Sequence, residues 1–212
     1  MNNIKNIIME ADGVPVLENS LGCRLVPVWD GVHWGLGTFY LNNVQLGGTI
    51  PCFATEEFNK TTYGAQRYEI VENSPQKGVI RFHGKDGKLG FSVTVTMTDK
   101  SCAYRLEYEF DPLHPIFHPL YVNVPFFSGF TNFVKYPYED TILPGGENRY
   151  AIRPDRSRAP FMFGSETIGD KSFYIGTGYD LKDAFHQGRI EYDPGASSDM
   201  PFKIYSPFEG MA

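Results

Sequence analysis

His114 and His118 stand four residues apart in the stretch DPLHPIFHPLYVNVPFF, residues 111–127, and each is followed by proline. Two imidazoles at that spacing share one face of a helix and could hold zinc. Pro115 and Pro119 exclude the helix, because proline pushes the residue before it out of the α region, and Pro112 does the same to Asp111. The segment is therefore expected to be extended. Residues four apart on a strand share a face but sit about 13 Å apart. That is too far for one ion whose donors must all come within about 2.3 Å, and no metal is expected here. An imidazole held on a sheet face instead suits general acid chemistry or a hydrogen bond to a sugar hydroxyl. The plainer alternative is a satisfied structural histidine.

Two other clusters carry chemistry. RPDRSRAP sets Arg153, Arg156 and Arg158 around Asp155, and guanidinium forks match a carboxylate or phosphate. A solvated loop with a local Asp–Arg pair has the same composition. Trp29, His33, Trp34 and Tyr40 form an aromatic-rich patch that could stack on a sugar ring or fill the core. The chain has no Gly-rich phosphate loop, G-x-S-x-G, calcium loop or close cysteine pair, so no cofactor is expected. Cys23, Cys52 and Cys102 share no metal-type spacing and read as reduced, mostly buried thiols of a cytoplasmic protein.

The elements that must position these groups are strands. In GVIRFHGKDGKLGFSVTVTMTD, Ile80 and Phe82 alternate with Val79, Arg81 and His83, and Asp86-Gly87 supplies a hairpin turn. The returning strand places Leu89, Phe91, Val93, Val95 and Met97 on one face, with Ser92, Thr94, Thr96 and Thr98 on the other. After a turn at residues 99–101, Tyr104, Leu106, Tyr108 and Phe110 alternate with Arg105, Glu107 and Glu109. This predicts an antiparallel meander with one solvated face. Further strands are expected upstream, with turns at Asp30-Gly31 and Asn42-Asn43, and downstream in KSFYIGTGYD, GRIEYDP and PFKIYSPF. A long stretch dense in Pro, Gly and charge lies between Tyr136 and Pro160. Only short helices are expected, near residues 56–59 and 180–186.

Composition agrees. The aromatic share of 15% comes from 17 Phe and 13 Tyr, residues that suit pleated, half-buried surfaces. With 22 Gly and 15 Pro in 212 residues, turns are frequent and long helices have little room. The expectation is an all-β chain, residues 1–212 forming a single large antiparallel β-sandwich domain. A net charge of −6, spread along the chain, disfavours nucleic acid and an anionic membrane as partners. No apolar run approaches the roughly 18 residues that span a bilayer, and the opening stretch is too interrupted by charge to read as a signal peptide. A small molecule or an oligosaccharide is the expected ligand.

The hairpin ending GFSVTVTMTDKSCAYRLEYEFD, followed by a strand with His, aromatic and Asn residues, resembles the middle of the galactose mutarotase-like family over roughly residues 78–127. In aldose epimerases of that family, strands of the type v-T-Y-T-L and L-x-I-x-Y precede a motif close to N-H-x-Y-F-N or H-P-Y-F. Its histidine is the catalytic acid. His114-Pro115-Ile116-Phe117 resembles H-P-Y-F with Ile116 in place of Tyr, while His118, Tyr121 and Asn123 resemble the other form with one extra residue after the histidine. The resemblance implies a large sandwich of two antiparallel sheets that binds or processes a sugar. His114 or His118 would protonate the ring oxygen, and a carboxylate in a late strand would take the anomeric proton. Glu191 is the nominee for that base. Tyr121 and Asn123 would line the substrate, joined by Trp34, Arg153 and Arg156 from the clusters above. This chain is shorter than such epimerases, and the same fold serves as a non-catalytic domain of glycoside hydrolases, a role that a short version also fits. The competing readings are a structural or interaction sandwich without enzymatic activity, and a lipocalin-like barrel around an apolar ligand.

Overall fold

The alternating segments form antiparallel strands in the computed structural model, which describes residues 5–56, 61–86, 89–110, 120–123, 132–136, 141–144, 150–152, 161–168, 171–178, 189–192 and 202–205. No helix occurs among the described residues, and so none there is long and apolar enough to cross a membrane. The short helices expected near 56–59 and 180–186 fall outside them, apart from Glu56, which ends a strand. Among the described residues all pairing between strands is antiparallel, and with no helix there the fold is all-β.

The first sheet is a five-stranded meander: β1 (Ile8–Ala11), β2 (Val14–Glu18), β3 (Cys23–Trp29), β4 (Trp34–Leu41) and β5 (Val44–Ile50). Its turns follow local chemistry. Asp12 and Gly13 link β1 to β2, and Asn42 and Asn43 link β4 to β5, all four with positive φ. Such pairs give the type I′ turn whose twist matches a hairpin. β4 is buried at every position except Tyr40. That closeness depends on Gly37, in the left-handed region at φ +86°, where a Cβ would lie 1.9 Å from the Val26 carbonyl oxygen. The register with β3 shifts at that point, a bulge that bends the sheet.

Two short strands, β6 (Ala54–Glu56) and β7 (Thr62–Tyr63), precede the second sheet. That sheet is the predicted meander: β8 (Arg67–Asn73), β9 (Lys77–Asp86), β10 (Leu89–Thr98) and β11 (Cys102–Phe110). β10 follows the period of two along its whole length, with Leu89, Phe91, Val93, Val95 and Met97 buried and the residues between them half-exposed. Its buried face joins Leu17, Leu25, Leu36, Phe39, Leu46 and Ile50 of the first sheet in one apolar cluster. Each such side chain contributes about 1.5–3 kcal/mol by leaving water.

The two sheets are tied at both ends. At one, Asn73 accepts a hydrogen bond from the Ile8 amide (3.0 Å) and donates to its carbonyl (2.9 Å). Beside it Asn19, 8% exposed, accepts from the amides of Leu21 and Cys23 and donates to the carbonyl of Thr98. At the other end Trp34 and Ala65 exchange two backbone bonds of 2.7 and 2.9 Å.

The later strands are β12 (Leu120–Asn123), β13 (Asn132–Tyr136), β14 (Thr141–Pro144), β15 (Tyr150–Ile152), β16 (Phe161–Ile168), β17 (Lys171–Gly178), β18 (Arg189–Tyr192) and β19 (Phe202–Tyr205). They complete a six-stranded sheet in the order β15-β18-β19-β12-β6-β7 and a four-stranded one in the order β14-β13-β16-β17. Among the described residues none of the four sheets closes on itself, as the sheet of a lipocalin-like barrel would.

Candidate functional site

Three of the residues nominated from sequence come together in the six-stranded sheet. Directly opposed residues of antiparallel strands share a face, as do residues two apart along a strand. One row across the sheet reads Ala151, Glu191, Lys203, Asn123. The next row on the same face reads Arg189, Tyr205, Tyr121, Thr55, Thr62. Glu191 and Asn123 are thus two strands apart, about 10 Å at the usual spacing. The row between them belongs to the opposite face and reads Ile152, Ile190, Ile204, Val122, Ala54, Tyr63.

By register, Glu191, Lys203, Asn123, Arg189, Tyr205 and Tyr121 fall on one face and Ile152, Ile190, Ile204 and Val122 on the other, where Glu56 stands opposite Leu120. Ala54 and Tyr63 are buried in the main core cluster, so the apolar face leads into it at the β6–β7 end. Thr55 is buried too, with its hydroxyl 3.6 Å from the Cys52 thiol, whereas Thr62 is exposed. Arg189, two residues before Glu191 in the expected strand GRIEYDP, shares its face by alternation alone, whereas nothing local ties Lys203 or Tyr205 to Glu191 or Tyr121. Alternation reveals a strand's two faces but not its neighbours.

His114, His118, Arg153 and Arg156 lie outside the described residues. The histidine segment ends two residues before β12 begins.

Trp34 sits in the core at 8% exposure. Its ring meets Tyr68 edge-on at 5.1 Å and lies 6.3 Å from Phe82, which favours packing over stacking on a ligand. Trp29, its register partner across the β3–β4 hairpin, is 42% exposed, with its ring 5.3 Å from that of Trp34. The turn between them is tightly held. Asp30 Oδ1 accepts from the amides of Val32 (2.8 Å) and His33 (2.6 Å), the Asp30 amide donates to the His33 carbonyl, and Gly31 takes φ +101°. The amides of His33 and Val32 hold the Asp30 carboxyl below its usual range.

No family model, curated protein or solved structure matches this chain.

The outer face of the second sheet is polar but self-satisfied. His83 Nε2 lies 3.0 Å from Glu69 Oε1, with Arg81 at 3.8 Å from the same oxygen. The hydrogen bond from His83 holds Glu69 below the ordinary carboxylate range. Tyr68 donates to Glu10 at 2.8 Å, and partial burial followed by that bond pushes its phenol upward. Cys23, Cys52 and Cys102 are free thiols. The hydrogen bond with Cys23, and then burial, push the Cys102 thiol well above its usual value, so it is a poor nucleophile. No group of three or more metal-ligating side chains occurs among the described residues.

Proposed function

We propose that the protein recognises a carbohydrate on the polar face of the six-stranded sheet, in a β-sandwich of the galactose mutarotase-like kind. The observation that carries this reading is the register that sets Glu191, Lys203 and Asn123 in one row and Arg189, Tyr205 and Tyr121 in the next. A sugar offers hydroxyls that both donate and accept, and a mixed set of carboxylate, amide, ammonium and phenol matches them. An aldose epimerase needs a carboxylate base and an acid. Glu191 stands in a late strand, and β12 follows directly on the segment with His114 and His118. In catalysis Glu191 takes the proton of the anomeric hydroxyl while a histidine protonates the ring oxygen, and the bond between the anomeric carbon and that oxygen breaks. Reclosure on the other face inverts the anomer. As a domain attached to a glycoside hydrolase, the same face binds sugar without turning it over.

NMR with a panel of free sugars tests this and separates the two outcomes. Anomeric exchange accelerated by the wild type and lost in Glu191→Gln, and in His114→Ala or His118→Ala, establishes an epimerase. Amide shifts at Tyr121 and Asn123 without acceleration establish a binding domain. No response to any sugar removes the carbohydrate reading.

A further inference from the structure

The tip of the β3–β4 hairpin carries an aromatic surface that the fold does not use. Trp29 keeps 42% of its surface in water and Val32 63%, while the neighbouring Trp34 is buried. Burying apolar surface is the main stabilising term of folding, and here two apolar side chains of the hairpin tip, Trp29 and Val32, leave theirs in water. Its setting is rigid. Trp34 supports one side of the Trp29 ring, Tyr68 and Phe82 support Trp34, and the paired backbone bonds to Ala65 hold Trp34 in place. The turn next to the ring is locked by the Asp30 carboxylate, so almost no conformational entropy remains to be lost when something docks there.

We propose that Trp29, backed by Trp34, is a second sugar-binding site, on which the apolar face of a pyranose ring stacks while Asp30 and His33 take its hydroxyls. This inference rests on the carbohydrate reading above but concerns a different place, the hairpin tip of the first sheet rather than the six-stranded sheet. The electron-rich face of an indole attracts the partly positive C–H hydrogens of a sugar. Asp30 is exposed and ionised, and among the described residues only its Oδ1 is engaged, so Oδ2 is free to accept from a hydroxyl. The half-exposed His33 imidazole follows on the same turn. The size of the patch argues for a small ligand. One indole and one valine offer far less than the roughly 800 Å² that each partner of a stable protein interface contributes. The carboxylate beside the ring also disfavours an anionic lipid surface. β-Galactosides, whose C4–H joins the axial C–H groups of C1, C3 and C5 on one face of the ring, should bind more tightly than β-glucosides, which offer only the three axial ones.

The experiment is an NMR titration of the full chain, following the two tryptophan indole N–H signals and the amides of Tyr121 and Asn123. The probes are methyl β-D-galactopyranoside and methyl β-D-glucopyranoside. The expected result is a saturable shift of the Trp29 indole, larger than that of Trp34, with the galactoside binding more tightly. Trp29→Ala should abolish this response and leave the Tyr121 and Asn123 responses intact. Trp29→Phe, which keeps a ring, should weaken it about 3–10-fold, the range of one aromatic contact. Asp30→Asn keeps the turn's acceptor oxygen and should also weaken it. Shifts at Tyr121 and Asn123 with a silent Trp29 indole would overturn this inference alone. A responding indole with silent Tyr121 and Asn123 would uphold it and overturn the site on the six-stranded sheet, while silence at every signal would overturn both. Dimerisation of the wild type that Trp29→Ala removes, with no sugar shift, would make the patch a self-association surface and also overturn it.

Discussion

The two ends of the paired N-terminal sheets are closed by opposite chemistries. At the end where β2 turns into β3, amide side chains close the structure. Asn19 joins Leu21, Cys23 and Thr98, and Asn73 brackets both backbone groups of Ile8. At the other end of β3, rings close it: Trp29 against Trp34, and Trp34 against Tyr68 and Phe82. Hydrogen bonds are directional and saturable, so the amide end satisfies its groups and offers little to a ligand. Ring packing has no such limit, and the aromatic end leaves one indole face open. The difference shows how one pair of sheets can be tied at both ends and still leave an indole in water at one of them.

The largest effect is expected from Phe82→Ala at the aromatic end. Phe82 is fully buried and meets the rings of Trp34, Phe53 and Tyr68, and its loss should cost about 3–5 kcal/mol in denaturant unfolding. A cost below about 1 kcal/mol would show that the rings do not hold that end together. Asn19→Ala tests the amide end. It strips partners from two amides and a carbonyl, and about 2–3 kcal/mol is expected from the same measurement. If Asn19→Asp, which retains only the acceptor, proves as stable as the wild type, the bond to Thr98 does not hold the amide end together.

Trp29→Ala should cost no more than about 1 kcal/mol, since the ring is already largely in water. A loss as large as that of Phe82→Ala would make Trp29 a core residue and remove the contrast within the hairpin. The smallest effect concerns pH. The Asp30 carboxyl sits below its usual range, so the bonds it accepts strengthen the turn above the ordinary carboxylate pKa and are lost as pH falls through the depressed one. Hydrogen exchange at the amides of Val32 and His33 should speed up in acid relative to neighbouring strand amides, after correction for intrinsic rates. Asp30→Asn should remove most of that pH dependence.

Much of this organisation was legible from residue order. The meander of β9, β10 and β11 follows from strict alternation, and the turns at Asp30-Gly31 and Asn42-Asn43 follow from residues that tolerate positive φ or bond their own backbone. The candidate site was only partly legible. One motif points to Tyr121 and Asn123 and a late strand to Glu191, with Arg189 on the same face by alternation, but Lys203 and Tyr205 carry no local signal. Sequence alone groups Trp29 and Trp34 as one aromatic patch, although Trp34 is core and Trp29 is surface.

What the sequence determined by itself was local: period-two strands and turn positions, as in β10 and at Asp30-Gly31 and Asn42-Asn43. These depend on φ/ψ preferences and on neighbours a few residues away. The tertiary structure alone decided which strands lie side by side and which side chains a second sheet covers. Asn123 meets Lys203 across a separation of 80 residues, and Trp34 loses its contact with water because Tyr68 and Phe82 arrive from another sheet. Pairing and burial over such distances are set by the packing of the whole core, which no short window of sequence contains.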